Sequence, residues 1–201
     1  HEFYPAITIA LDHALKNSTA RLVIADNLYS YGNVKGANMN EQFPHQATTK
    51  KGIIRANMIQ KLLNDANEYK NRVAFVKAAD FIGPGIYKGL FGTDFLHRLQ
   101  QQKTLFMYGD LNLPHTFTYI NDFAQAMINV GTANDSFGQI WHAPNATAMS
   151  LDKWIHLFEV HTSSKANILS IPKFVIKLAS HFNTMIRELY ELSYQFEYPY
   201  L

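Results

Sequence analysis

Three short apolar runs, each passing directly into polar and glycine residues, constrain what this chain can fold into. They read Arg21-Leu-Val-Ile-Ala-Asp-Asn-Leu-Tyr-Ser-Tyr-Gly32, Arg72-Val-Ala-Phe-Val-Lys-Ala-Ala-Asp-Phe-Ile-Gly-Pro-Gly85 and Thr116-Phe-Thr-Tyr-Ile-Asn-Asp-Phe-Ala-Gln-Ala126. Open α/β sheets build their ligand crevice where strands end in this way. Helical periodicity separates the runs. Residues 4–17 predict a helix with Ile7, Leu11, Ala14 and Leu15 on one face. Arg21–Ala25 predicts a buried strand, and a loop rich in Asn and Gly runs from Asn33 to about Ala47. A long helix is expected over Thr48–Tyr69, with Ile54, Met58, Ile59, Leu62, Leu63 and Ala66 at helical spacing, before a strand over Val73–Val76. Alternation of helix and strand argues for parallel strands in a doubly wound α/β sheet.

Beyond Gly85 the expected elements are a helix over Phe91–Gln102, strands over Thr104–Tyr108 and Thr116–Ile120, and a helix over Asn121–Val130 capped by Asn121 or Asp122. A short strand at Gln139–Ala143 precedes a helix that Ser150 caps. Ile168–Ile171 leads into Pro172, which suits the first turn of a further helix, and Asn183–Phe196 predicts a last amphipathic one.

Composition narrows the function classes. The chain has 201 residues, 47% of them hydrophobic, enough for a substantial core. A charged fraction of 17% and a net charge of +2 give no broad field, and no basic run suggests a nucleic-acid tract. Cysteine is absent, which excludes disulfide and thiolate chemistry. No apolar stretch approaches the roughly 20 residues that span a bilayer, so no membrane role is expected. His142, His156 and His161 are not spaced as a metal set. Tyr190, Tyr194, Phe196, Tyr198 and Tyr200 read as packing or interface residues, since no basic groove accompanies them. A cytoplasmic α/β protein is the expectation.

The order and wording of the three runs resemble the later part of the NAD-dependent epimerase/dehydratase group of extended short-chain dehydrogenases/reductases. The resemblance runs from about Leu22 to Phe196. Tyr31-Gly32 matches the family's Tyr-Gly pair, which sets Asn27 where a catalytic Ser or Thr usually stands. An amide there can bond a substrate oxygen but cannot relay a hydroxyl proton. The plainer reading of Asp26 and Asn27 is that they end the strand and cap its turn. The family's Tyr-x-x-x-Lys is missing: the helix register sets Thr49 at the tyrosine and Ile53 at the lysine, with Lys50 and Lys51 facing elsewhere. Tyr31 and Lys35 have the right spacing by coincidence, within a turn. Leu-Arg-x-x-Asn-x-x-Gly-Pro becomes Val76-Lys77-Ala-Ala-Asp80-Phe-Ile-Gly83-Pro84, so Asp80 stands for the substrate-holding Asn. Asp80 either serves the site, or pairs with Lys77 or caps the turn. In the fourth signature His115 replaces the arginine that grips a diphosphate, which counts against a nucleoside-diphosphate sugar. Asp122 reads as a helix cap.

The resemblance implies NAD or NADP as cofactor, lying against Ala25, Asp26, Asn27 and Ala79. It implies Asn27, Thr49 and Asp80 as catalytic positions, and Tyr31, Asp80, His115 and Tyr119 as contacts to a small-molecule substrate. The architecture it implies is a Rossmann-like α/β sheet without its N-terminal part, plus a smaller C-terminal α/β substrate lobe. Residues 1–86, with parts of 115–145, would form the nucleotide lobe, and 87–114 with 146–201 the substrate lobe. No Gly-x-x-Gly-x-x-Gly occurs, so the sequence reads as a fragment of a longer chain. The long helix matches one that often pairs in family dimers, which suggests a homodimer. Two functions remain open: an oxidoreductase or isomerase acting on a hydroxylated or carbonyl small molecule through an atypical site, and a non-catalytic NAD(P)-binding sensor or scaffold.

Overall fold

The structure, a computed structural model, describes residues 3–64 and 66–201. The chain opens with α1 (Tyr4–Lys16), β1 (Leu22–Asn27), α2 (Lys50–Leu62) and β2 (Val73–Ala78). It continues through β3 (Asp80–Ile82), α3 (Thr93–Gln100), β4 (Thr104–Tyr108) and β5 (Pro114–His115). Next come β6 (Phe117–Tyr119), α4 (Ile120–Thr132) and β7 (Ile140–His142). The last elements are β8 (Met149–Ser150), α5 (Leu151–Thr162), β9 (Asn167–Ile171), α6 (Lys173–Ala179) and α7 (Thr184–Glu191). They fall into two compact units, one of residues 1–33, 39–79 and 118–144, the other of 34–38, 80–117 and 145–201.

In the first unit β1, β2 and β7 form a parallel sheet in the order β1-β2-β7. All six residues of the central β2 are buried, whereas β1 buries only Ile24 and Asp26. The parallel α/β expectation holds, because Val, Ala, Phe and Val in a row suit a strand covered on both faces. Leu15, Ile24, Met58, Ile59, Leu62, Tyr69, Val73 and Phe75 make the core between α1, α2 and the sheet. Leu62 and Val73 are fully buried, each contributing about 1.5–3 kcal/mol of apolar transfer.

Two helices differ from their expected form. The inward residues of α1 are Thr8, Asp12 and Leu15, while Ile7 is exposed. Asp12 turns in because it accepts a hydrogen bond from the Tyr69 hydroxyl and pairs with Lys16 and Lys61. Polar satisfaction outweighs the apolar stripe at this face. The helix α2 stops at Leu62, well before Tyr69, and Asn64 turns its side chain back onto the Ala66 N–H. That local bond gives the backbone an alternative to another helical turn.

In the second unit β4 pairs in parallel with β9, and β5 pairs with β8 antiparallel. Phe91, Phe95, Leu99, Leu105, Met107, Phe117, Leu151, Ile155 and Phe196 form its core. As expected, the Ser150 hydroxyl caps α5, accepting from the Lys153 N–H. Pro172 flanks α6 as its N-cap, and the last long helix resolves into α7 and a short turn over Ser193–Phe196. Among the described residues no helix is long and apolar enough to cross a membrane.

Candidate functional site

A buried polar network stands at the carboxyl ends of β1 and β2. Lys77 points from the fully covered β2 and has no exposed surface. Its Nζ donates to Asp26 Oδ2 at 2.6 Å, to the Asn27 carbonyl at 2.9 Å and to Ser30 Oγ at 2.9 Å. Three acceptors thus take the three hydrogens of an ammonium. Burial pulls the Lys77 pKa below the ordinary lysine value, and the neighbouring Asp26 carboxylate opposes that shift. The other oxygen of Asp26 accepts from Arg55 Nη1 at 3.1 Å, so one carboxylate serves two cations. Arg55 is fixed from the far side by Tyr4: Nη2 donates to the phenol oxygen at 2.6 Å, and the guanidinium lies 4.0 Å from the ring centroid.

The network continues into the loop. Ser30 Oγ lies 2.9 Å from His45 Nδ1, and the His45 ring stacks on Tyr31 at 5.2 Å. The Tyr31 hydroxyl lies 2.7 Å from His142 Nε2, and the backbone N–H of His142 donates to Glu41 Oε1 at 3.1 Å. Burial, with the Lys77 charge nearby, drives the His45 pKa down to about 4 and leaves the ring neutral. Burial likewise lowers His142 and raises the Tyr31 phenol. A neutral imidazole beside a neutral phenol is a structural hydrogen bond at ordinary pH.

Beside this network lies a cavity of about 180 Å³ lined by Tyr4, Asn27, Tyr29, Lys51, Ile54 and Arg55. Asn27 ends β1, and its Oδ1 accepts the Tyr29 N–H at 3.1 Å in an Asx turn. The cap reading of Asn27 therefore holds, and its amide nitrogen is left as a donor.

The remaining sequence-derived candidates are placed as follows. Thr49 is the N-cap of α2, its hydroxyl accepting the Gly52 N–H at 3.2 Å. Ala25 is exposed on β1, and the Ala79 N–H donates to Thr118 Oγ1 at 3.0 Å. Tyr31 is fully buried, and Tyr119 is exposed with its hydroxyl accepting from Asn121. In the second unit Asp80 pairs with His115 rather than with Lys77, Oδ2 to Nε2 at 2.9 Å. His115 is buried between Phe196 and Tyr200, with ring centroids 5.0 Å away on each, while the Asp80 carboxylate is a third exposed. Lys77 passes Asp80 by because β2 directs it to Asp26. Asp122 is not a cap: α4 starts one residue earlier than expected, at Ile120, with Tyr119 as N-cap, and Asp122 lies in its first turn. Among the described residues no group of His, Asp and Glu is arranged to hold a metal.

Sequence reasoning missed Arg55, Ser30, His45, Glu41 and His142. Arg55 had a signal, since it lies four residues after Lys51 on one helix face. The others come together only through loop closure, and spacing carries no trace of that.

Comparison with known proteins bears on the fold. No family model matches the chain, and no curated protein matches it. Solved structures do. A dTDP-glucose 4,6-dehydratase from Bacillus anthracis in complex with NAD aligns with a TM-score of 0.72 at 16% identity, over 82% of this chain and 54% of its own. A UDP-glucuronic acid 4-epimerase from Bacillus cereus, in complex with UDP-glucuronic acid and NAD, gives 0.70 at 17%, over 84% and 54%. The UDP-glucose 4-epimerase of Thermus thermophilus with NAD gives 0.69 at 15%, over 82% and 56%. The chain thus spans about half the length of these structures. Over that span it has the Rossmann-type α/β fold of the NAD-dependent epimerases and dehydratases.

Proposed function

We propose that the protein carrying this chain is an NAD(P)-dependent oxidoreductase or isomerase of the epimerase/dehydratase kind, acting on a hydroxylated or carbonyl small molecule. The observation that carries the reading is the cavity beside Asn27, at the carboxyl end of a parallel strand. The similar structures that hold NAD support the cofactor. The exposed methyl of Ala25 leaves the carboxyl half of β1 open to a flat ring, so the residues present fit the nicotinamide end. Ala25, Asn27 and Ala79 would hold it, and the cofactor supplies hydride transfer.

The residues of the chain supply the rest. Asn27 presents its amide N–H to a substrate oxygen. Tyr29 lines the same cavity and is the proton carrier in this reading, a task that Thr49, engaged as a cap, does not perform. The network of Lys77, Asp26 and Arg55 fixes the strand end from behind.

The test is calorimetric titration of NAD(H) and NADP(H) into the protein that carries these residues, followed by a turnover screen over sugars, hydroxy acids and ketones. Saturable binding with turnover that Tyr29→Phe lowers at least a hundredfold supports the assignment. Binding without turnover by any substrate supports the sensor reading in its place. Absence of binding to either dinucleotide overturns both.

A further inference from the structure

In the second unit, α6 is apolar on two opposite faces. Ile176 is its buried residue, whereas Phe174 and Leu178 are 71% and 64% exposed. Each stands two residues from Ile176, and at about 3.6 residues per turn that sets both on the face turned away from the core. An ordinary surface helix carries polar residues there. Phe182, in the turn that follows, and Met185, in the first turn of α7, are exposed as well, and α6 packs against α7. An apolar face of this kind on a folded surface marks a contact with another protein or with a membrane.

Charge decides between the two. Lys173, Lys177 and His181 each immediately precede one of the exposed apolar residues Phe174, Leu178 and Phe182. A spacing of four repeats along one helix face, so a basic stripe runs beside the apolar one. From Pro172 to Arg187 the sequence holds Lys173, Lys177 and Arg187 and no Asp or Glu. The carboxylates Glu188, Glu191 and Glu197 come later, and Glu197 pairs with Lys173. The long stem of Lys177 can follow an apolar surface while its ammonium stays among polar headgroups. A second copy seated on this face about a two-fold axis would set one basic stripe against another. Anionic phospholipid answers the stripe with opposite charge and the apolar side chains with acyl chains.

We infer that α6, the turn after it and the start of α7 form a peripheral membrane-contact surface for a bilayer that contains anionic phospholipid. Phe174, Leu178, Phe182 and Met185 enter the acyl boundary, and Lys173, Lys177 and Arg187 meet the headgroups. Such a surface lies on the bilayer and needs no span through it. It stands apart from the proposed cofactor chemistry, and neither depends on the other.

The experiment is flotation of the protein that carries these residues with vesicles of phosphatidylcholine, alone or with about one-third phosphatidylserine, at about 0.1 M and about 1 M salt. Flotation with the phosphatidylserine vesicles that weakens at high salt supports the inference. So does binding about tenfold weaker in Phe182→Ser combined with Met185→Ser, and about fivefold weaker in Lys177→Gln. No flotation with either vesicle, or equal flotation of the double variant, overturns it. Flotation that needs no phosphatidylserine and ignores salt overturns the anionic assignment. Self-association in sedimentation velocity that the double variant abolishes, without flotation, overturns the inference in favour of a second copy. Thermal melts establish that each variant is folded. Phe182→Trp keeps the test decisive if the double variant is not: its added emission should shift to the blue on phosphatidylserine vesicles and be quenched by brominated acyl chains. An unchanged spectrum overturns the inference.

Discussion

Lys77 is a charge inside a strand that is otherwise apolar, and its environment supplies what burial takes away. Its three hydrogens have three acceptors, and Asp26 compensates the charge. Replacing it by Met leaves Asp26 buried with Arg55 as its remaining cation, so Lys77→Met is expected to destabilise by about 3 kcal/mol in urea unfolding. A cost below about 1 kcal/mol would mean that Arg55 alone compensates Asp26. His45 gives a pH signature. The unfolded ring takes its proton near 6.5 and the folded one near 4, so the unfolded chain binds more protons between those values. Stability is therefore full above about 6.5 and falls as pH drops towards 4. The expected loss is on the order of 1 kcal/mol once solvent screening of a half-buried group is counted. His142, lowered by burial, adds in the same direction. Unfolding midpoints measured across this window should flatten in His45→Gln, and an unchanged slope would remove His45 as its source. Asp12, held at about 2 by the Tyr69 hydroxyl against the opposing effect of burial, acts in a separate window, losing its contribution below about 3.8.

At the scale of elements, the seat of α2 is decided by Gly52. A Cβ built there would stand 2.4 Å from the Tyr29 carbonyl oxygen and 2.5 Å from Ala47 Cβ. Glycine inside a helix ordinarily costs up to about 1 kcal/mol relative to alanine, so Gly52→Ala would stabilise an unobstructed helix. Here backbone stands in the way, and the substitution must push α2 off the Tyr29–Tyr31 turn. Gly52→Ala is expected to lose about 2 kcal/mol, read by thermal or urea unfolding. A gain in stability would show that the turn yields freely. The same element shows what a periodic pattern cannot report. Ile54, Met58, Ile59 and Leu62 follow the helical period as expected, but the stripe runs on through Leu63 and Ala66 after the helix has ended. An Asx-type bond from Asn64 stops the helix, and apolar spacing is blind to it. The inward face of α1 departs from its apolar stripe for a related reason: Asp12 is drawn in by Tyr69, a residue 57 positions away.

Across the molecule as a whole, α6, α7 and the turn between them leave Phe174, Leu178, Phe182 and Met185 in solvent, with Phe182 85% and Met185 78% exposed. Side chains so exposed contribute little to folding, so Phe182→Ser combined with Met185→Ser should change the unfolding free energy by no more than about 0.5 kcal/mol. The same variant should bind less of an apolar dye such as ANS, and a large loss of stability instead would place these side chains in a core. The class of architecture was legible in the amino-acid order alone. Alternating helical and strand periods, a β2 that is apolar but for Lys77, and polar residues at each strand end are local properties, and local pattern specifies a parallel α/β sheet. The order also marked Asn27, the end of a strand, and Asp80 with its Gly-Pro turn. The partners were left to the tertiary fold: Asp80 with His115, Lys77 with Asp26, Ser30 with His45, and Tyr31 with His142. The last of these pairs joins residues 111 positions apart. Such contacts follow from which strands lie side by side and how the loop closes over them, and pairing between distant positions leaves no periodic trace in one sequence.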